Sequence, residues 1–204
     1  MTDKTRTKRW YFRYGKRLFD LLLAIPALIL LAPMMACVAL LIKIDSPGPV
    51  FFRQERVGKS ARGFHILKFR TMIDRERIPD GEIISANPEV TRVGFWLRRF
   101  KIDELPQLLN VVKGDMSIVG PRPGLPAQLT DYTETAYQRL EVKPGITGLA
   151  QVNGNIYLSW EERWIYDAQY VDNCSLLLDL EIIFHTIAVV IWGEAKFLNP
   201  LKHL

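Results

Sequence analysis

The hydrophobic pattern is dominated by one run, Leu21 to Ile42, 22 residues without a charge. As a helix it is long enough to cover the ~30 Å hydrocarbon core of a bilayer. Both of its flanks are strongly basic, with Lys4, Arg6, Lys8, Arg9, Arg13, Lys16 and Arg17 before it and Lys43, Arg53, Arg56, Lys59, Arg62, Lys68 and Arg70 after it. The positive-inside preference draws both ends to the cytoplasmic side. Pro33 stands near the middle and Pro26 precedes it, each able to kink a helix. The pattern therefore predicts a re-entrant helix that turns back at Pro33, in preference to a plain spanning helix. A signal peptide is excluded, because the run is too long for an h-region and no small-residue cleavage site precedes Lys43.

After the turn cluster Asp45 to Pro49 the period changes. Val50-Phe-Phe-Arg-Gln-Glu-Arg-Val-Gly58 and Phe64-His-Ile-Leu-Lys-Phe-Arg-Thr-Met72 read as two short strands joined as a hairpin. Residues 74 to 90 are polar with Pro79, Gly81 and Pro88, and predict a long loop that is either mobile or substrate-covering. Helical spacing returns at Val93, Trp96, Leu97 and Phe100 within Thr91 to Phe100, and again at Leu105, Leu108, Leu109 and Val112 up to Gly114. Tyr132 to Leu140 predicts a short surface helix, and Trp160 to Asp172 a helix with an aromatic stripe of Trp160, Trp164, Tyr166 and Tyr170. Ser175 to Trp192 is apolar but interrupted by Asp179, Glu181, His185 and Thr186, so it suits either core packing or a seat on the membrane. The fold class is α+β: a small, mostly helical, membrane-associated domain with a re-entrant helix, a short β-hairpin and interfacial amphipathic helices. Residues 1–43 form the anchor and membrane helix, and 44–204 one cytoplasmic catalytic unit.

The formal charge of +5 conceals an asymmetry: residues 1–70 carry a net +10 and the remainder −5. Aromatic residues Trp10, Tyr11, Phe12 and Tyr14 lie among the N-terminal cations, the composition of an interfacial anchor that meets anionic lipid. No nucleic-acid motif accompanies the charge. Cys37 and Cys174 offer neither a disulfide framework nor metal spacing, which fits a reduced compartment. His65, His185 and His203 are too scattered for a zinc site or a Ser-His-Asp triad.

The candidate chemistry lies between Arg98 and Pro123. Asp103-Glu104 precedes a helical pattern, and Pro106 fits only a first turn, which predicts Asp103 as N-cap and Glu104, Leu105 and Pro106 as the first helical positions. Free N–H groups there attract anions, and Arg98, Arg99, Lys101 and Arg122 bring cations to the same neighbourhood. On the local pattern alone, routine helix capping is the favoured reading of the acidic pair over catalysis. Alternation places Lys68 and Arg70 on one strand face, suited either to phosphates or to plain exposure. The segment Val142-Lys-Pro-Gly-Ile-Thr-Gly-Leu-Ala-Gln-Val-Asn-Gly154 lacks the Gly-Lys-Ser/Thr of a Walker loop and is a weak signal by itself.

The stretch Ile102-Asp-Glu-Leu-Pro-Gln-Leu-Leu-Asn-Val-Val-Lys-Gly-Asp-Met-Ser-Ile-Val-Gly-Pro-Arg-Pro123 resembles the signature of the monotopic phosphoglycosyl transferases, also called bacterial sugar transferases. The likeness runs from Lys16-Arg-Leu-Phe-Asp20 to about Asp179, including both strand motifs and the Pro-Gly-Ile-Thr-Gly-x-x-Gln-Val-x-Gly segment. Members carry a broken, re-entrant helix where this chain has its apolar run, many with Ser-Pro at the break where Ala32-Pro33 stands here.

The resemblance implies transfer of a sugar-1-phosphate from a UDP-sugar to polyprenyl (undecaprenyl) phosphate, with release of UMP, at the cytoplasmic face of the bacterial inner (plasma) membrane. It implies Asp103 as the nucleophile of a covalent phosphosugar-aspartate, and Mg²⁺ held by Asp103 and Glu104. Lys68, Arg70, Arg98, Arg122, Gln151 and Asp167 are implied substrate-binding residues, Arg98 as a phosphate ligand and Gln151 as a nucleotide contact. Adjacent helical residues project ~100° apart, so Glu104 is expected to bind metal, orient Asp103 or assist the acceptor rather than share its in-line position. Two rival readings stand beside this one: a non-catalytic membrane adaptor, and a carboxylate- and metal-dependent nucleotide-sugar hydrolase. No motif encodes the sugar, the polyprenol or the oligomeric state.

Overall fold

A computed structural model of the chain describes residues 11–74 and 89–197. The N-terminal basic segment up to residue 10, including Lys4, and nearly all of the predicted 74–90 loop lie outside the described residues.

A π-helical turn, Tyr11–Gly15, leads into the 30-residue helix α1, Lys16–Asp45. Among the described residues this is the one helix long and apolar enough to cross a membrane. The helix assignment continues through both Pro26 and Pro33. Each proline lacks the N–H that would bond four residues back, so the carbonyls of Leu22 and Ile29 lose that partner.

One stripe of α1 packs on the rest of the chain along its whole length, ~45 Å for 30 residues. Near its start, Asp20 accepts from Ser117 Oγ at 2.8 Å and from Ile118 N at 3.0 Å. Arg17 donates to the carbonyls of Val111 and Val112. Next, Ala24, Ala27, Leu28 and Leu31 pack with Phe64, Ile66, Leu108, Val111 and Met116. Beyond Pro33, Met35, Val38, Ala39 and Ile42 pack with Phe69, Leu97, Val50, Val93 and Ile102. Finally Asp45 Oδ2 accepts from Val93 N at 2.9 Å, meeting a free donor of the next helix's first turn. The opposite face, with Leu22, Ile29, Leu30, Leu40, Leu41 and Ile44, is exposed and apolar up to Lys43 in the last turn.

Strands β1 (Phe51–Val57) and β2 (Gly63–Phe69) form the expected antiparallel hairpin, paired from Phe51↔Phe69 to Val57↔Gly63. Helix α2 (Arg92–Arg99) starts at Thr91, whose side chain accepts from Gly94 N at 2.9 Å. It lies so close to the end of the hairpin that a Cβ on Gly94 would stand 2.1 Å from Thr71 O, so only glycine permits this approach. Helix α3 (Gln107–Lys113) ends at Gly114 in the left-handed conformation, as its sequence predicts.

Strand β3 (Ser117–Val119) pairs in parallel with β4 (Gly145–Thr147), although 25 residues separate their facing ends. Between them lies the short helix α4 (Glu134–Gln138), and after them come α5 (Leu149–Val152), α6 (Trp160–Asn173) and α7 (Leu176–Trp192). The architecture is mostly helical with a short antiparallel hairpin, as expected.

Two helical expectations are refined. On α6 Trp164, Tyr166 and Tyr170 are buried, but Trp160 turns outward and stacks under the Arg163 guanidinium, 4.4 Å from its ring centre. On α7 one face packs in the core, where Ile182 and Val189 meet Val119, Val152 and Tyr170, whereas Leu177, Phe184, Ile187 and Ile191 on the other side are exposed. Its Asp179 is fully buried beneath Tyr11, Lys16 and Tyr170.

Candidate active site

The acidic pair does not cap a helix in the expected way. Ile102–Glu104 forms a 3₁₀ turn, entered from Lys101 in the left-handed conformation at φ 57°, and the α-helix begins only at Gln107. Pro106 explains the shift. Lacking an N–H, it cannot bond the Ile102 carbonyl, which Leu105 N takes instead at 3.1 Å, leaving a 3₁₀ pattern through this turn. Asp103 is thus inside the turn, and no side-chain cap bond is made at its start.

Three neighbouring elements converge on the turn. Asn110 on α3 clasps β2 edge-on: its Nδ2 donates to His65 O at 2.8 Å, and its Oδ1 accepts from Leu67 N at 3.0 Å. The next residue, Lys68, is thereby placed against Glu104, with Nζ 2.7 Å from Oε1. Arg122, in the segment after β3, donates from Nη2 to the same oxygen at 3.1 Å. From α2, Arg98 donates through Nε to Thr71 Oγ1 at 2.9 Å and adds positive charge near Asp103.

The two adjacent carboxylates are driven apart electrostatically. Burial would raise the pKa of Glu104, but Lys68 and Arg122 outweigh it and hold the acid well below the ordinary carboxylate range. Asp103 moves upward, first because it is buried and second because Glu104 is beside it, with Lys68, Lys101 and Arg98 offsetting only part of this. Lys68 is itself lowered by burial, against the pull of Glu104. Glu104 is therefore a fixed anion with two partners. Asp103, 8% exposed, makes no hydrogen bond or ion pair among the described residues.

A cleft opens on the Glu104 side of the turn, between α3, β4, α5 and α7. Leu105, Leu108, Ile146 and Val189 give it apolar walls, and Lys101, Glu104, Arg122 and Gln151 stand at its polar side. Gln151 donates from Nε2 to Ile146 O at 2.8 Å, while its Oε1 is buried with no partner.

Of the residues singled out from the sequence, Asp103, Glu104, Lys68, Arg98, Arg122 and Gln151 lie around this turn and cleft. Arg70 and Asp167 do not. Arg70 is buried with its guanidinium on Ser46 O, Ser46 Oγ and Pro47 O, at 2.7, 3.0 and 2.6 Å, so it secures the turn that ends α1. Strand β2 ends at Phe69, so the alternation that would align Arg70 with Lys68 stops one residue short. Asp167 is buried against Arg139, Oδ2 to Nη2 3.0 Å, and burial pushes its pKa up to about 6 against the pull of Arg139 and Arg163. Of the other residues on the cleft wall, Thr147 belongs to the Pro-Gly-Ile-Thr-Gly segment but was not singled out, Asn155 and Thr186 carry no motif, and only the packing of α7 brings Thr186 to the site.

Comparison with known proteins finds likeness along most of the chain. The family model described as bacterial sugar transferase matches residues 11–193. A protein of Bacillus subtilis (strain 168) described as the uncharacterized sugar transferase EpsL is 46% identical over 179 residues, spanning 88% of each chain. The exopolysaccharide production protein ExoY of Rhizobium meliloti (strain 1021) is 40% identical over 199 residues, 90% of this chain and 88% of its own. The UDP-glucose:undecaprenyl-phosphate glucose-1-phosphate transferase of Escherichia coli (strain K12) is 41% identical over 185 residues, which cover 86% of this chain and 40% of that longer protein.

Proposed function

Because the chain belongs to the bacterial sugar transferase family, and is on that ground a transferase, we propose that it moves a sugar-1-phosphate from a UDP-sugar to undecaprenyl phosphate, releasing UMP. The observation that carries this reading is the division of labour in the acidic pair. Glu104 is pinned by Lys68 and Arg122, while Asp103 stands unengaged among Lys68, Lys101 and Arg98. A carboxylate with a raised pKa, surrounded by cations that favour its ionised form, suits nucleophilic attack on a phosphate.

An Asp103 oxygen attacks the phosphorus bonded to the sugar, the bond from that phosphorus to the bridging oxygen breaks, and UMP departs with the electron pair. A phosphate oxygen of the polyprenyl acceptor then attacks the same phosphorus, restoring the Asp103 carboxylate and leaving a sugar diphosphate on the lipid. Arg122, Arg98 and Lys68 offset phosphate charge through both steps. Asp103 and Glu104 also fit Mg²⁺, which is commonly held by one or two carboxylates with substrate phosphates completing its shell. Bound there, it would act as a Lewis acid toward the phosphoryl oxygens.

The membrane seat follows from α1. Its first turn is tied through Lys16 to Asp179, and its last residue, Asp45, to Val93 N, so both ends are held on one polar domain. A straight crossing would carry one of these ends, with its partners, to the far side of the bilayer. Both ends on the cytoplasmic face, with the exposed apolar faces of α1 and α7 in one leaflet among anionic lipids, satisfy packing and charge together.

Two measurements test this. Purified protein in lipid nanodiscs, incubated with a panel of UDP-sugars, is expected to release a single stoichiometric burst of UMP with one or a few donors, and to release it repeatedly only when polyprenyl phosphate is supplied in excess of enzyme. No release from any donor refutes the reading, and sustained release without acceptor makes the protein a hydrolase. For topology, single cysteines placed at positions 4 and 59 in a Cys37→Ala, Cys174→Ala background are expected to react with a membrane-impermeant maleimide from the cytoplasmic side alone. Labelling from opposite faces eliminates the re-entrant arrangement.

A further inference from the structure

The segment that presents Arg122 has an unusual anchoring problem. Pro121 and Pro123 flank the arginine and supply no N–H, so this stretch depends on its carbonyls for attachment. Four successive carbonyls are each bound: Pro121 O by Gly145 N at 2.9 Å, Arg122 O by Arg139 Nη2, Pro123 O by Arg56 Nη1 at 3.2 Å, and Gly124 O by Val57 N at 2.9 Å. Two of these donors belong to the hairpin, and one to β4. The fourth, on Arg122 itself, comes from a side chain 17 residues away whose only exposure is 6%.

Arg139 is built for that contact. Its Nη2 donates to Arg122 O and stands 3.0 Å from Asp167 Oδ2 in an ion pair. Its Nη1 donates to Tyr132 Oη at 3.2 Å, and its guanidinium lies 5.6 Å from the centre of the Tyr132 ring. Asp167, 2% exposed on α6, balances the buried charge and is far too enclosed to meet a substrate. At the other end of the chain of contacts, Arg122 Nη2 grips Glu104.

We propose that Arg139, with Asp167 as its buried counter-charge, is a positioning residue that fixes the Pro121–Pro123 backbone so that the Arg122 guanidinium meets Glu104 and the donor phosphate. This rests on the transferase reading and reassigns Asp167 from substrate contact to support. The fork geometry of arginine is what the role needs, since an ammonium is a single point charge without fixed directions for three acceptors.

The test removes both buried charges together, so that neither is left uncompensated. In the full-length protein in nanodiscs, the pair Arg139→Gln, Asp167→Asn is combined with Arg122→Lys, which keeps a cation at the site. UMP release gives kcat/KM for the donor in all four forms, with the melting temperature measured beside it. With Arg122 present, the pair of substitutions is expected to cost about ten- to a hundredfold, the scale of misplacing a charge-assisted contact. In the Arg122→Lys form the same pair is expected to cost under about twofold, because the guanidinium being positioned is already gone. Equal costs in the two backgrounds, or a rate loss that tracks loss of folded protein, overturn the proposal. Absence of UMP release by the native protein would instead remove the transferase reading.

Discussion

Asp103→Asn is expected to lower sugar-phosphate transfer by roughly a thousandfold or more while leaving the chain folded. An amide has nearly the volume of a carboxylate but does not attack phosphorus. Stability should not suffer, because the ionised Asp103 is itself unfavourable in the fold: it is buried, and it stands beside Glu104. The sign can be followed with pH. The folded-state pKa of Asp103 lies above the unfolded value of ~3.9, so ionisation costs stability above the folded value, and that cost fades as the pH falls toward the unfolded one. The variant should therefore melt at or above the native temperature near neutral pH and lose this advantage on acidification to about pH 4. Intact-mass spectrometry after mixing with donor should find a phosphosugar adduct on the native chain and none on the variant. Transfer close to the native rate, or an adduct on the variant, would sink the assignment of Asp103 as nucleophile.

The second large effect is one of stability. Asp179 is completely buried and accepts from Tyr11 Oη at 2.5 Å, Lys16 Nζ at 2.7 Å and Tyr170 Oη at 2.8 Å. It joins the turn before α1, the first turn of α1, α6 and α7 at one point. Asp179→Ala takes the acceptor from three interior donors, one of them an ammonium, although Tyr170 Oη keeps Val119 O at 3.0 Å. Breaking a buried pair in this way costs about 3–5 kcal/mol. Lys16 retains Asp20 at 3.6 Å as an alternative partner, which places the expected cost near the lower end of about 3 kcal/mol. For a chain of this size that corresponds to a fall in Tm of roughly 6–12 °C. Lys16→Met leaves the fully buried Asp179 carboxylate with two neutral donors and no counter-charge, and is expected to cost at least as much. A fall of under about 2 °C in Asp179→Ala would show that the cluster does not hold α1 to the domain.

Much of this fold can be read from local pattern. The uncharged run from Leu21 to Ile42, the hairpin, the helix ending at Gly114 and the stripe of α6 each repeat a period or carry a turn residue within a few positions. Such signals survive because propensity and turn chemistry act between near neighbours. The acidic pair was legible too, as was the nearness of Arg98 and Arg122 in the same stretch, whereas the gathering of Lys68 with them as phosphate-binding residues came from likeness to a family.

The fate of individual side chains was decided elsewhere. Lys68 and Arg70 look alike in the sequence, yet one faces Glu104 and the other closes the turn after α1, because β2 ends between them. Asp103 lost the N-cap position to a 3₁₀ turn imposed by the missing N–H of Pro106, a clue present in the sequence but read there as an ordinary first-turn proline. Asp167 became a counter-charge, and Arg139 became a support, only when α4 and α6 packed beside the Pro121–Pro123 segment. By itself the sequence determined which segments are helix, strand and membrane-seeking, since those are properties of neighbouring residues. The tertiary structure alone decided which charges meet, because burial of a charge is stable only beside a partner, and that partner lies dozens of residues away.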